Sequence, residues 1–132
     1  IHCHVEFKTK DECWHHWSSP TIQRDYVLFA KMANVRNDDK ISYISLPRGL
    51  PNDITLPTAM AHEIDNYHDE SWLSCEEVDY LVRWDRMDRK HNWLSPNSLE
   101  YALGYFFGND FWSRESFPEN IVDTRLVFWF DN

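Results

Sequence analysis

Strict alternation opens the chain. Over residues 2–8, Cys3, Val5 and Phe7 fall on one face of an extended segment, and His2, His4, Glu6 and Lys8 fall on the other. That period of two is the mark of a half-buried strand. Polar residues Thr9 to Glu12 then predict a turn, and Cys13 to Trp17 a second strand, giving an N-terminal hairpin. Ser18-Ser19-Pro20 breaks the pattern. From Asp25 to Val35 apolar residues crowd most sides of a helical wheel, which predicts a buried helix ended by Asn37-Asp38-Asp39. Ile41 to Leu46 reads as a short strand, and Pro47-Arg48-Gly49-Leu50-Pro51 as a turn-rich loop.

Periodicity fades between Asn52 and Glu70, apart from a short helix expected near Thr58 to Ile64. Irregular stretches of this length in small domains are often binding loops. Order returns at Ser74-Cys75-Glu76-Glu77, a capping box that starts a helix through Val78, Leu81, Val82 and Trp84 toward Lys90. Asn97 with Glu100 predicts a further cap. Leu99, Ala102, Leu103 and Phe106 then form one apolar stripe, and Gly108 stops the helix. The last segment, Ile121 to Phe130, alternates Leu126, Phe128 and Phe130 with Arg125, Val127 and Trp129. No linker or repeat divides residues 1–132. The pattern predicts one α+β domain, with an antiparallel sheet that includes both terminal strands packed against two to four helices.

Composition narrows the function classes. Seven Trp, six Tyr and eight Phe accompany only three Gly, so large rings supply much of the core and leave some to stack on a ligand. A formal charge of −9 opposes direct binding to DNA or RNA, which depends on basic surface. Cys3, Cys13 and Cys75 lack paired spacing and fit reduced thiols in a cytosol. No apolar run approaches the roughly 20 residues of a membrane span, and Ile1-His2-Cys3-His4 does not read as a signal peptide.

Three groups of residues could carry chemistry. His2, His4 and Glu6 share the polar face of the first strand, and imidazole with carboxylate suits zinc or another divalent metal. His62, Asp65, His68 or Asp131 could complete such a set, although His62-Glu63 lacks the second His of a zincin helix. Arg24, Arg36, Arg48 and Arg125 stand beside breaks in the pattern, where guanidinium groups often clamp phosphate. Ion pairing with Asp25, Asp53 or Asp123 is the plain alternative for each arginine. Tyr67-His68-Asp69-Glu70-Ser71-Trp72-Leu73 gathers a ring, a hydroxyl, a His and acids just before a capped helix, a place that favours anions.

Several stretches resemble a family of small uncharacterised proteins of bacteriophages and prophages. These are Ile1-His2-Cys3-His4-Val5-Glu6, Arg24-Asp25-Tyr26 with Leu28-Phe29-Ala30, Val35-Arg36, Pro47-Arg48-Gly49-Leu50-Pro51, Ser71-Trp72-Leu73, and 123–132. Where that family reads His-Ser-x-Ser-Trp, this chain has His68-Asp69-Glu70-Ser71-Trp72 and so lacks the first serine. The resemblance implies a phage setting, in the cytoplasm of a bacterial host, and no particular activity; small phage proteins often counter bacterial immunity, which by analogy suggests a role against host defence.

Residues and resemblance together favour a binding module that sequesters a nucleotide-derived immune signal, of the cyclic nucleotide or cyclic ADP-ribose type. Arg24, Arg36, Arg48 and Arg125 would face phosphates. Tyr67, Trp72 or Trp129 would stack on a base, with His68 and Ser71 beside them. No cofactor is needed, and a homo-oligomer is expected if the site lies between subunits. One alternative is a metal-dependent hydrolase of a phosphorylated small molecule, with His2, His4, Glu6 and His68 on the metal and Asp131 ligating or orienting water. Another is an acidic inhibitor of a host defence protein, using Asp110, Glu115, Glu119 and the Asp79 to Asp88 helix.

Overall fold

The two terminal strands lie side by side at the centre of one sheet. The computed structural model describes residues 1–64, 66–88, 99, 102–103 and 109–131. Its strands are β1 (His2–Thr9), β2 (Trp14–Ser18), β3 (His68–Ser74) and β4 (Ile121–Phe130), in the order β2-β1-β4-β3. Every pairing is antiparallel. The described helices are α1 (Tyr26–Ala33), α2 (Leu56–His62) and α3 (Cys75–Asp88), with short 3₁₀ turns at Asn109–Trp112 and Arg114–Ser116. This is the expected α+β arrangement. None of the described helices is long and apolar enough to cross a membrane.

Alternation in β1 and β4 does what period two requires. Cys3 and Val5 join Leu126, Phe128 and Phe130 in the core, and Leu73 from β3 joins them. Against that face pack Leu28, Phe29 and Met32 of α1 and Val78, Leu81 and Val82 of α3, together with the buried Leu99, Ala102 and Leu103. The expected cap at Asn97 with Glu100, the later stripe residue Phe106 and the stop at Gly108 lie outside the described residues. Both long helices start on side-chain caps, the one at Ser74 expected from its capping box and the one at Asp25 shown by the structure. The Leu28 amide donates to the Asp25 carboxylate at 3.1 Å. The Ser74 amide donates to Glu77, and the Glu77 amide donates back to the Ser74 hydroxyl. Replacing Ser74 with Ala therefore lowers stability by about 1 kcal/mol, measured by urea unfolding.

Two expectations for the middle of the chain fail. Residues 41–46 form no strand. The Asn37 side chain exchanges two hydrogen bonds with the backbone of Ile41, and the Ile44 amide donates to the Lys31 carbonyl at 2.7 Å. Those bonds take backbone groups that a sheet ladder would use. Conversely, residues 68–74 form edge strand β3, although 68–70 read as the end of the irregular run and 71–73 only as the approach to the α3 cap. A register shift between His68 and Ser71, with Asp69 at φ 54°, hides the alternation. The Pro47–Pro51 loop covers the outer edge of β3. There the Gly49 amide donates to the Glu70 carbonyl, and the Arg48 amide to the Ser71 hydroxyl. An edge covered this way no longer invites pairing with another chain.

Cys3 and Cys75 are buried and Cys13 is exposed, all three as free thiols. Burial pushes the Cys3 thiol up to about 12, which keeps it unreactive.

Candidate functional site

The sheet face opposite α1 and α3 carries the polar residues, and it is not simply solvated. The pairs His2↔Trp129, His4↔Val127 and Glu6↔Arg125 place the polar residues of β1 on the same side as Arg125 and Trp129. The segment from Asp53 through α2 closes over this face. Glu6 is fully buried there. Its Oε1 accepts from Arg125 Nε at 2.8 Å, and its Oε2 accepts from the Thr55 amide and the Thr55 and Thr58 hydroxyls at 2.9, 2.6 and 2.7 Å. Thr55 precedes α2 yet makes no side-chain cap, because its hydroxyl is spent on Glu6. Burial alone would raise the Glu6 pKa. The threonine donors and Arg125 outweigh it and lower the pKa instead.

Arg125 is correspondingly committed. Its Nη1 reaches the Asp53 carboxylate at 2.8 Å, its Nη2 donates to the Asp53 carbonyl, and its guanidinium lies 3.8 Å from the centre of the Trp14 ring. Next to it opens a cleft of about 430 Å³, within the usual range for small-ligand sites. Trp14 and Trp72, both half-buried, line this cleft together with Lys8, Asn52, Asp53 and Asp123. Arg48 sits 4.8 Å from the Trp72 ring centre and holds Glu77 through two nitrogens at 2.6 Å. Each indole is thus backed by an arginine that is itself anchored to carboxylate, a rigid arrangement for stacking.

Beyond Glu6, toward the start of β1, lies a second cluster. Trp129 is fully buried, with the rings of His4, His62 and Tyr67 centred 5.1, 4.9 and 5.6 Å away. His2 Nε2 contacts Asp131 at 2.8 Å, and His62 Nε2 contacts Glu70 at 3.1 Å. His4 Nδ1 lies 3.0 Å from both His16 Nε2 and the Ser19 hydroxyl. Burial lowers the His4 pKa to about 4, with the neighbouring His16 adding to the effect, so the ring is neutral at physiological pH. Ser19 and His16 meet the same nitrogen of His4, which is not the two-ended relay of a serine nucleophile.

Several expected site residues therefore take other roles. The expected metal set His2, His4, Glu6 and Asp131 does not converge, because Glu6 is consumed by Arg125 and the threonines while His2 takes Asp131. Among the described residues no three His, Cys, Asp or Glu side chains could share an ion. His68 pairs with Asp69 and packs on Phe130, and Asp65 lies outside the described residues. Trp129 and Tyr67 are together as expected, but full burial removes Trp129 from any stacking role.

Nor do the four arginines meet in one cleft. Arg125 forms the buried pair with Glu6, Arg48 backs Trp72, and Arg36 lies over Tyr26 in a separate hollow of about 330 Å³ beside α1. Arg24 is exposed and lines neither hollow. Ser71 is buried and receives the Arg48 amide. Along α3 the acids are answered by bases: Glu76 by Arg114, Glu77 by Arg48, Asp79 by Arg83, and Asp85 with Asp88 by Lys31. That removes the acidic face expected of this helix, and the side chain of Asp110 lies outside the described part.

Only Trp72 of the expected ring set lines the larger cleft. Trp14, Lys8 and Asn52 were not among the expected site residues, and Asp123 entered only as an ion-pair partner for arginine. Their available signal was period two in the hairpin, which puts Trp14 and His16 opposite Lys8 and Glu6. Comparison with known proteins adds no relative: no family model, curated protein or solved structure matches this chain.

Proposed function

We propose that the chain binds a small nucleotide-like ligand in the cleft between Trp14 and Trp72 and holds it without turnover. The observation that carries this reading is the pair of half-buried indoles in one cleft, each backed by an anchored guanidinium. Rings fixed in this way lose little entropy when a planar base stacks on them. Asn52, Asp53 and Asp123 offer donors and acceptors for the edge of a base, and Lys8 on the strand beside them supplies a cation for phosphate. Arg125 contributes rigidity rather than charge, since Glu6 and Asp53 already neutralise it. Recognition thus rests on the ring more than on phosphate.

Holding rather than cleaving is favoured by the commitment of the cleft hydroxyls. The Ser74 hydroxyl receives the Glu77 amide, and the Thr124 hydroxyl donates to the Phe111 carbonyl at 2.8 Å. The phage setting follows from the resemblance described above, and in it the ligand is a host immune signal of the cyclic nucleotide or cyclic ADP-ribose type. Calorimetry against cyclic dinucleotides, cyclic ADP-ribose isomers and simple nucleotides tests this reading. Saturable binding of one class, with the ligand recovered intact, is the expected result. Folded protein that gives no heat with any of them overturns the proposal.

A further inference from the structure

Helix α2 is built inside out. Its inner side is polar: the Thr58 hydroxyl donates to Glu6, and His62 reaches Glu70 and packs on Trp129. The buried Glu6 carboxylate needs such donors, which leaves the apolar side of α2 facing outward. Leu56, Met60 and Ile64 are 71, 60 and 79 % exposed, and exposed Pro57 lies beside them. Their spacing of i, i+4 and i+8 makes one stripe along a helix. Ile64 stays on that line because Glu63 keeps right-handed helical dihedrals and its amide donates to the Ala59 carbonyl. Three large side chains left in water on one stripe run against the hydrophobic effect. A contiguous apolar patch on the order of a few hundred Å² marks an interaction surface.

Charge and spacing decide what covers it. No Lys or Arg stands between Arg48 and Arg83, so α2 lacks the basic flank that seats a helix on anionic lipid. Along the exposed side of residues 56–64 the one charged residue is Glu63. A basic partner would find a single carboxylate to pair with, too little to select it. A second copy of this chain fits better, because the stripe is symmetric about Met60. Two α2 helices laid antiparallel across a two-fold axis set Met60 against Met60 and Leu56 against Ile64. The same arrangement puts Glu63 opposite Pro57, so no like charges meet.

We propose that the chain forms a two-fold dimer through the α2 stripe, with Met60 on the axis. Methionine suits that place, since its flexible thioether adapts to a copy of itself. The seam is short, at the low end of the roughly 1,000 Å² of a specific interface, so the dimer is reversible and depends on concentration. It does not depend on what the Trp14–Trp72 cleft binds.

Sedimentation equilibrium of the full chain from about 5 µM to about 1 mM, the range of weak reversible pairs, tests the proposal. The expected result is a monomer–dimer equilibrium, with the Met60 methyl resonance of the wild-type chain moving as dimer forms. Met60→Asp sets two carboxylates on the axis and weakens association by at least about tenfold. Ile64→Ser also weakens it, while Met87→Ser, at an exposed apolar residue of α3, does not. The wild-type resonance locates the seam even if a variant fails to fold. A chain that stays monomeric at the highest concentration overturns the proposal. So does a dimer that Met60→Asp leaves intact, or one dissolved only by Trp17→Lys on edge strand β2.

Discussion

Arg125→Met destabilises the fold by about 3–5 kcal/mol, the usual consequence of stranding one member of a buried ion pair. Glu6 is fully buried and Arg125 is 6 % exposed, so solvent screens their attraction little. Without the guanidinium, Glu6 keeps the Thr55 and Thr58 donors but loses its counter-charge, and Asp53 loses both bonds that tie its loop to the sheet. For a chain of this size the loss corresponds to a fall in Tm of roughly 10–20 °C. Urea unfolding with intrinsic tryptophan emission measures it. The double variant Glu6→Gln with Arg125→Met recovers part of the loss, because it removes the charge left alone. A single variant within about 1 kcal/mol of wild type would show that the pair does not anchor the layer over the sheet.

The same pair sets an acid limit. The folded pKa of Glu6 lies below the ordinary glutamate value, so the unfolded chain takes up this proton first as pH falls. The stability contributed by Glu6 is fully present above that ordinary value, and it is lost progressively as pH drops toward the lowered folded value. Glu77 and Asp53 are shifted in the same direction and add to the slope. Comparing wild type with Glu6→Gln between pH 6 and 3 isolates the Glu6 share. The variant starts less stable and declines less steeply.

What the chain reveals about itself follows from where its polar residues point. Strands β1 and β4 and the cap at Ser74 depend on local pattern, and local pattern shows them. Strand β3 does not, because its bulge at Asp69 breaks the alternation and Ser71, a polar residue, faces inward. Residues 41–46 look strand-like because nothing in their own composition reveals that Asn37 will take the backbone of Ile41. The polar face of β1 was visible as a row of His2, His4 and Glu6. Its meaning depended on register and on a covering segment 49 residues away in sequence, the separation of Thr55 from Glu6. Arg125 illustrates the cost: read as a phosphate clamp, it instead formed the ion pair with Asp53 that was its plain alternative. Trp14 escaped notice because a single ring on a short hairpin strand has an adequate explanation as packing.

Those two indoles give the most direct test of the cleft. Removing either ring by Trp14→Ala or Trp72→Ala lowers affinity for the bound nucleotide by roughly 10–100-fold, since stacking of one base contributes about 1–3 kcal/mol. Phe at either position restores much of the loss by keeping a π-face. Lys8→Ala has a smaller effect that fades as salt rises, because its ammonium is part-exposed and also serves Glu12. The Trp72 variant is the cleaner one: its ring rests on Arg48, whose bonds to Glu77 and to the Trp72 carbonyl do not need the indole. The Trp14 variant also exposes Arg125, so its folding is checked by urea unfolding before its calorimetry is read. If both alanine variants fold and bind as wild type does, the ligand lies elsewhere. The hollow beside α1, where Arg36 faces Tyr26, would then be the next place to substitute.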